Sequence, residues 1–115
     1  MIINFFVSQT GRSPVQEFIK SLNKQDKAKV LGCLQSIQEL GLDCPRVEFR
    51  QIEGKLWEIK VRTQAGGYRF FYITIKKEVM VLLHAYKKQS QKAPKNEIEI
   101  ALKRLKEVLK NDLIK

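Results

Sequence analysis

The spacing of apolar residues changes once along this chain, and that change narrows its possible folds more than any other feature. Across residues 26–40, Val30, Leu31, Leu34, Ile37 and Leu40 recur at threes and fours, with Gly41 following where a left-handed cap suits a helix end. Beyond Cys44-Pro45 the period drops from about 3.6 to about 2, the alternation of β-strands. A helical first half and a strand-rich second half in 115 residues predict a single α+β domain over 1–115, with no room for a separate cofactor-binding domain.

Residues 2–7 are β-branched and aromatic and predict a first strand, followed by a loop over residues 8–12. Ser13-Pro14 opens a short helix ending near Leu22, with serine at the cap, proline at the first helical position and Gln16 suited to the free donors of a helix start. In residues 55–63, Trp57, Ile59 and Val61 alternate with Glu58, Lys60 and Arg62. Residues 68–75 are apolar on both sides, as in a central strand, and residues 78–86 supply the third strand of a meander, with one more strand expected before it. After a polar stretch, Pro94 starts a last helix whose Ile98, Ala101, Leu102, Leu105, Val108 and Leu109 form one apolar stripe. The expected fold is a mostly antiparallel sheet with two N-terminal helices and one C-terminal helix packed on it.

Lysine and arginine number 22 against 12 acidic residues, a formal charge of +10. Residues 50–95 hold eleven basic and three acidic side chains, so +8 of that excess lies in this segment. Such concentration points to a polyanion partner more than to general solubility. No basic region precedes residues 1–7 and no apolar run approaches membrane-spanning length, so a cytoplasmic protein is expected. Cys33, Cys44 and the single His84 do not supply the roughly four close ligands of a structural zinc, and no metal is expected.

Tight loops fix which residues face each other across strands. A four-residue loop at 64–67 sets Arg62 opposite Arg69, and a two-residue turn at 76–77 sets His84 opposite Arg69. Lys60 and Tyr86 share the face of this row, whereas Trp57, Ile59, Val61, Phe70, Tyr72, Val81 and Leu83 point to the other face, under the helices. Facing arginines repel, and an anion between them, above all phosphate, relieves that repulsion. Surface pairing with Glu58 and Glu78, or a bulge that shifts the register, is the plainer alternative. Neighbouring cations would keep His84 neutral and able to accept a proton. Tyr68 and Tyr86 either stack on bases or complete the rim of the core, and Lys87, Lys88 and Lys92 follow the edge of the site.

Three segments in this order, Leu56-Trp-Glu-Ile-Lys-Val-Arg62, Gly67-Tyr-Arg-Phe-Phe-Tyr72 and Leu83-His-Ala-Tyr-Lys-Lys88 with Gln91-Lys-Ala-Pro94 after it, resemble the RelE/HigB superfamily of toxin–antitoxin toxins, particularly its phage-derived, HigB-like branch. The resemblance runs from Ser13-Pro14 to the last helix. It implies a small RNase-like fold that cleaves mRNA in the ribosomal A site without metal or organic cofactor, inhibited by a helix-turn-helix antitoxin. Lys60, Arg62, Arg69 and Lys88 correspond to basic positions that RelE-type enzymes use on RNA. Glu58 stands where those enzymes have another lysine, and Pro94 lies about where they place a catalytic tyrosine.

Cleavage beside a 2′-hydroxyl needs a base, an acid for the leaving 5′-oxygen and positive charge on the phosphorus centre. The residues expected to carry the chemistry are Arg62, Arg69, His84 and Lys88, with Lys60, Tyr68, Tyr86, Lys87 and Lys92 on the RNA. Lys60, Lys88 or Lys92 fits one proton role and Glu58 or His84 the base. A non-catalytic module binding RNA or DNA beside a regulator is the main rival reading, and a lysine-rich protein-interaction domain is a third.

Overall fold

The computed structural model describes residues 1–89 and 94–114. Its elements are β1 (Ile2–Phe5), α1 (Pro14–Ser21), α2 (Lys24–Leu40), a 3-10 turn (Gly41–Asp43), β2 (Glu48–Glu53), β3 (Leu56–Thr63), β4 (Gly66–Ile75), β5 (Val79–Lys88) and α3 (Lys95–Ile114). The five strands lie in the order β1-β5-β4-β3-β2. All neighbours are antiparallel except β1, which runs parallel to β5. The α+β architecture and mostly antiparallel sheet match the sequence expectation.

Local chemistry sets the helix ends. Asn23 caps α2 by accepting from the Asp26 amide at 2.8 Å, and Gly41, at a φ of 69°, ends it with its amide on the Ile37 carbonyl. At α1 the proline takes its expected place, but the Ser13 hydroxyl makes no cap bond and is buried without a partner among the described residues.

The helices divide between the two faces of the sheet. Val15 and Ile19 of α1 and Val30, Leu34 and Ile37 of α2 pack on Ile59, Val61, Phe70, Tyr72, Met80 and Leu82. Ala101 and Leu105 of α3 pack on the reverse face, against Leu56, Phe71, Ile73, Val81, Leu83 and Tyr86. Val81 and Leu83 therefore lie under α3, not under the N-terminal helices as expected. Trp57 shares the side of Ile59 but is 36% exposed, outside the core. The two-sided apolar character of β4 has its cause here, because each of its faces meets a different helical layer.

Both hairpin registers differ from those expected. Gln64-Ala65 alone joins β3 to β4, with Thr63 opposite Gly66. Gly66 takes a φ of 143°, and the Thr63 hydroxyl donates to its carbonyl at 3.0 Å. Between β4 and β5, Ile75 pairs with Val79, Lys76 and Lys77 adopt positive φ, and a bulge leaves Leu83 extra on β5. Lys60 and Tyr86 consequently flank Arg69, Arg62 faces Gly67, and His84 faces Phe71. Arg62 does not face Arg69. Slips of two residues keep side chains on the same face, so the expected set still shares one side of the sheet.

Candidate anion-binding groove

Three successive rows cross this face from β2 or β3 to β5. The first is Arg50, Glu58, Phe71 and His84, the second Glu48, Lys60, Arg69 and Tyr86, and the third Arg62, Gly67 and Lys88. Helix α3 covers the part over Phe71 and Tyr86. Beyond that cover a groove of about 730 Å³ opens, lined by Arg62, Thr63, Gly66, Gly67, Arg69 and Lys88.

Arg69 is 7% exposed and Glu58 2%, and Arg69 Nε lies 3.7 Å from Glu58 Oε1. Nη1 of Arg69 donates to the Tyr68 carbonyl at 3.2 Å. A Cβ on residue 67 would stand 3.2 Å from that Nη1, so the glycine makes room for the guanidinium. At the rim, Glu48 lies 3.3 Å from Arg62 and 3.9 Å from Lys60. Lys88 has no ion pair among the described residues, and burial first, then Arg69, holds its pKa below the ordinary value of 10.5. Arg62, Arg69 and Lys88 thus line one opening, with Lys60 beside Arg69 on the same face, four positive charges against two carboxylates set behind or beside them. Such groups have the charge and donor geometry that suit a phosphate-like anion.

The other expected site residues among those described do not line this opening. His84 is on the same face, but Nδ1 lies 3.1 Å from Arg104 Nη1 and Nε2 bonds Glu97. Arginine only donates, so Nδ1 accepts and Nε2–H donates to the carboxylate, which leaves no lone pair free to take a proton from a ligand. Burial, outweighing Glu97, lowers the His84 pKa. Tyr68 is 4% exposed on the opposite face, where its hydroxyl donates to Asp26 at 2.5 Å. Its ring is therefore core and not a free stacking surface. Tyr86 is also buried, its ring tilted against Phe71 at 5.5 Å between centroids, and its hydroxyl pKa is pushed up to about 12, by burial foremost. Lys87 is opposite Tyr68 on the reverse side of the strand, its Cε near Gly66. Lys92 lies outside the described residues.

Sequence reading missed the burial of Glu58 beside Arg69, the role of Gly67 and the Glu97–His84–Arg104 link. Phe71 and Ile73 on β4, with the apolar stripe of α3, were the signal that this face is covered as well. No group of three or more His, Cys, Asp or Glu side chains among the described residues could hold a metal ion. No described helix is long and apolar enough to cross a membrane.

The fold and groove define a small basic α+β protein with a cluster of cationic side chains on one sheet face. Residues 17–106 match the family described as phage-derived protein Gp49-like (DUF891), and the chain belongs to it. That family is associated with toxin–antitoxin systems. No curated protein matches the chain.

Proposed function

We propose that the protein is the toxin of a toxin–antitoxin pair and acts as a ribosome-dependent, metal-independent mRNA endonuclease of the RelE/HigB type. The observation that carries this reading is the convergence of Arg62, Arg69 and Lys88 on one groove, with Arg69 buried at its floor and Lys60 paired beside it on the same face. In the proposed reaction the 2′-oxygen attacks the adjacent phosphorus, the bond to the 5′-oxygen breaks, and the 2′-proton passes to solvent water. Arg69 and Arg62 grip the non-bridging oxygens, and Lys88, an ammonium of lowered pKa, gives its proton to the departing 5′-oxygen. Neither Glu58, buried, nor His84, doubly bonded, is open to the 2′-hydroxyl. A positioning surface such as the ribosome fits a site with several cations and few free proton carriers. The +10 charge favours salt-sensitive docking on rRNA.

The partner in this reading is a helix-turn-helix antitoxin whose acidic segment covers the groove or docks beside it. A non-catalytic RNA-binding module is the second reading, favoured specifically by the engagement of both His84 nitrogens. Expression of the chain with and without its antitoxin, scored for growth arrest and for cut mRNA, separates the two: arrest with cleavage supports the nuclease, and RNA binding without cleavage supports the module.

A further inference from the structure

Glu58 is a buried carboxylate on β3, one row from Arg69 and out of reach of any molecule in the groove. An unpaired carboxylate in that position would be strongly unfavourable, so its place depends on the cation beside it. The guanidinium is bounded on three sides. Glu58 faces Nε at 3.7 Å, the Tyr68 carbonyl accepts from Nη1 at 3.2 Å, and the bare Cα of Gly67 lies under it. Nε has no hydrogen-bond partner among the described residues, so Glu58 holds that edge by charge and not by a hydrogen bond. Arg69 itself lines the groove with Arg62 and Lys88.

We propose that Glu58 is a positioning residue, which fixes the Arg69 guanidinium so that its free donors meet a phosphate without reorganisation. This rests on the nuclease reading of the groove. Fixed donors stabilise charge that develops during reaction better than mobile ones, whereas ground-state attraction to RNA depends mainly on the number of cations. Glu58 should therefore govern turnover more than affinity.

The test compares the parent with Glu58→Gln and Glu58→Asp. Rotation of the Arg69 guanidinium is followed by nitrogen-15 NMR on the free protein, and ribosome-dependent cleavage of one mRNA is followed by primer extension. In Glu58→Gln, Arg69 side-chain signals that are separate in the parent should average, kcat should fall at least tenfold, and KM should stay within about threefold. Glu58→Asp retains the charge but withdraws it by one methylene, and it should lie between the two in both measurements. The aspartate variant also decides the matter where the glutamine variant fails to fold. Unchanged Arg69 signals, or an equal rise in KM with kcat preserved, would overturn the positioning role. If the parent cuts no mRNA on ribosomes, the nuclease reading falls, and the NMR comparison still decides whether Glu58 holds Arg69.

Discussion

Arg104 Nη1 lies 3.1 Å from His84 Nδ1 while His84 Nε2 donates to Glu97, so one histidine of β5 joins two charged residues of α3. Protonation would place a second donor against Arg104. Burial first and Arg104 after it hold the His84 pKa below its ordinary value of 6.5 in the folded state, against the opposing pull of Glu97. Between the folded value and 6.5 the unfolded chain binds the proton and the folded chain does not. This contribution to stability is complete above 6.5 and is lost as pH falls through that window. Urea midpoints measured from pH 7.5 downward should decline, and His84→Gln, which cannot titrate there, should flatten the decline just below 6.5.

Tyr68→Phe should act on stability and not on RNA. The change removes the hydroxyl from a buried Asp26, which among the described residues keeps the Asn23 side chain as its side-chain partner. A loss of about 1–3 kcal/mol is expected in urea unfolding. Affinity for single-stranded RNA should stay within about twofold, whereas a tenfold loss would restore Tyr68 as a stacking residue.

Arg62 and Arg69 should give different phenotypes. The Arg62 side chain is 74% exposed and paired only at the rim, so Arg62→Ala should weaken RNA binding and flatten its salt dependence by about one charge. The Arg69 side chain is 8% exposed at the floor, and Arg69→Ala should lower cleavage by roughly 10²-fold or more. That variant also leaves Glu58 unpaired, so its stability needs measuring beside its rate.

Gly67 has an ordinary φ, and an added Cβ would meet only the Arg69 guanidinium closely, at 3.2 Å. Gly67→Ala should therefore disturb Arg69 while both charges of its pair remain. A thermal midpoint close to the parent with kcat reduced about tenfold is the expected result.

Much of this was legible from residue spacing. The Val30–Ile37 periodicity, the Pro14 and Pro94 helix starts and the alternation through Glu58, Lys60 and Arg62 all correspond to observed elements. The shared face of Lys60, Arg62, Arg69, His84 and Tyr86 also corresponds to the observed pairing, because side-chain period two tolerates a two-residue slip. Exact partners did not, since the tight Gln64-Ala65 loop and the Leu83 bulge depend on local backbone geometry that composition does not express. Of the two roles open to Tyr68 the structure favours the core, because strand alternation sends it opposite to Arg69, onto Asp26, a partner 42 residues distant that no local pattern reveals. His84 looked free for a similar reason: Glu97 and Arg104 reach it only once α3 folds back on the sheet.

The central claim is that this groove cuts mRNA when the ribosome positions it. The direct measurement is primer extension on one mRNA incubated with the purified protein, with and without translating ribosomes, at two salt concentrations. Cleavage on ribosomes that exceeds cleavage of free RNA by orders of magnitude, weakens with salt and falls with Arg69→Ala is the predicted result. Equal cutting of free RNA would contradict the ribosome's role, and RNA binding with no cutting in either condition would contradict the nuclease itself.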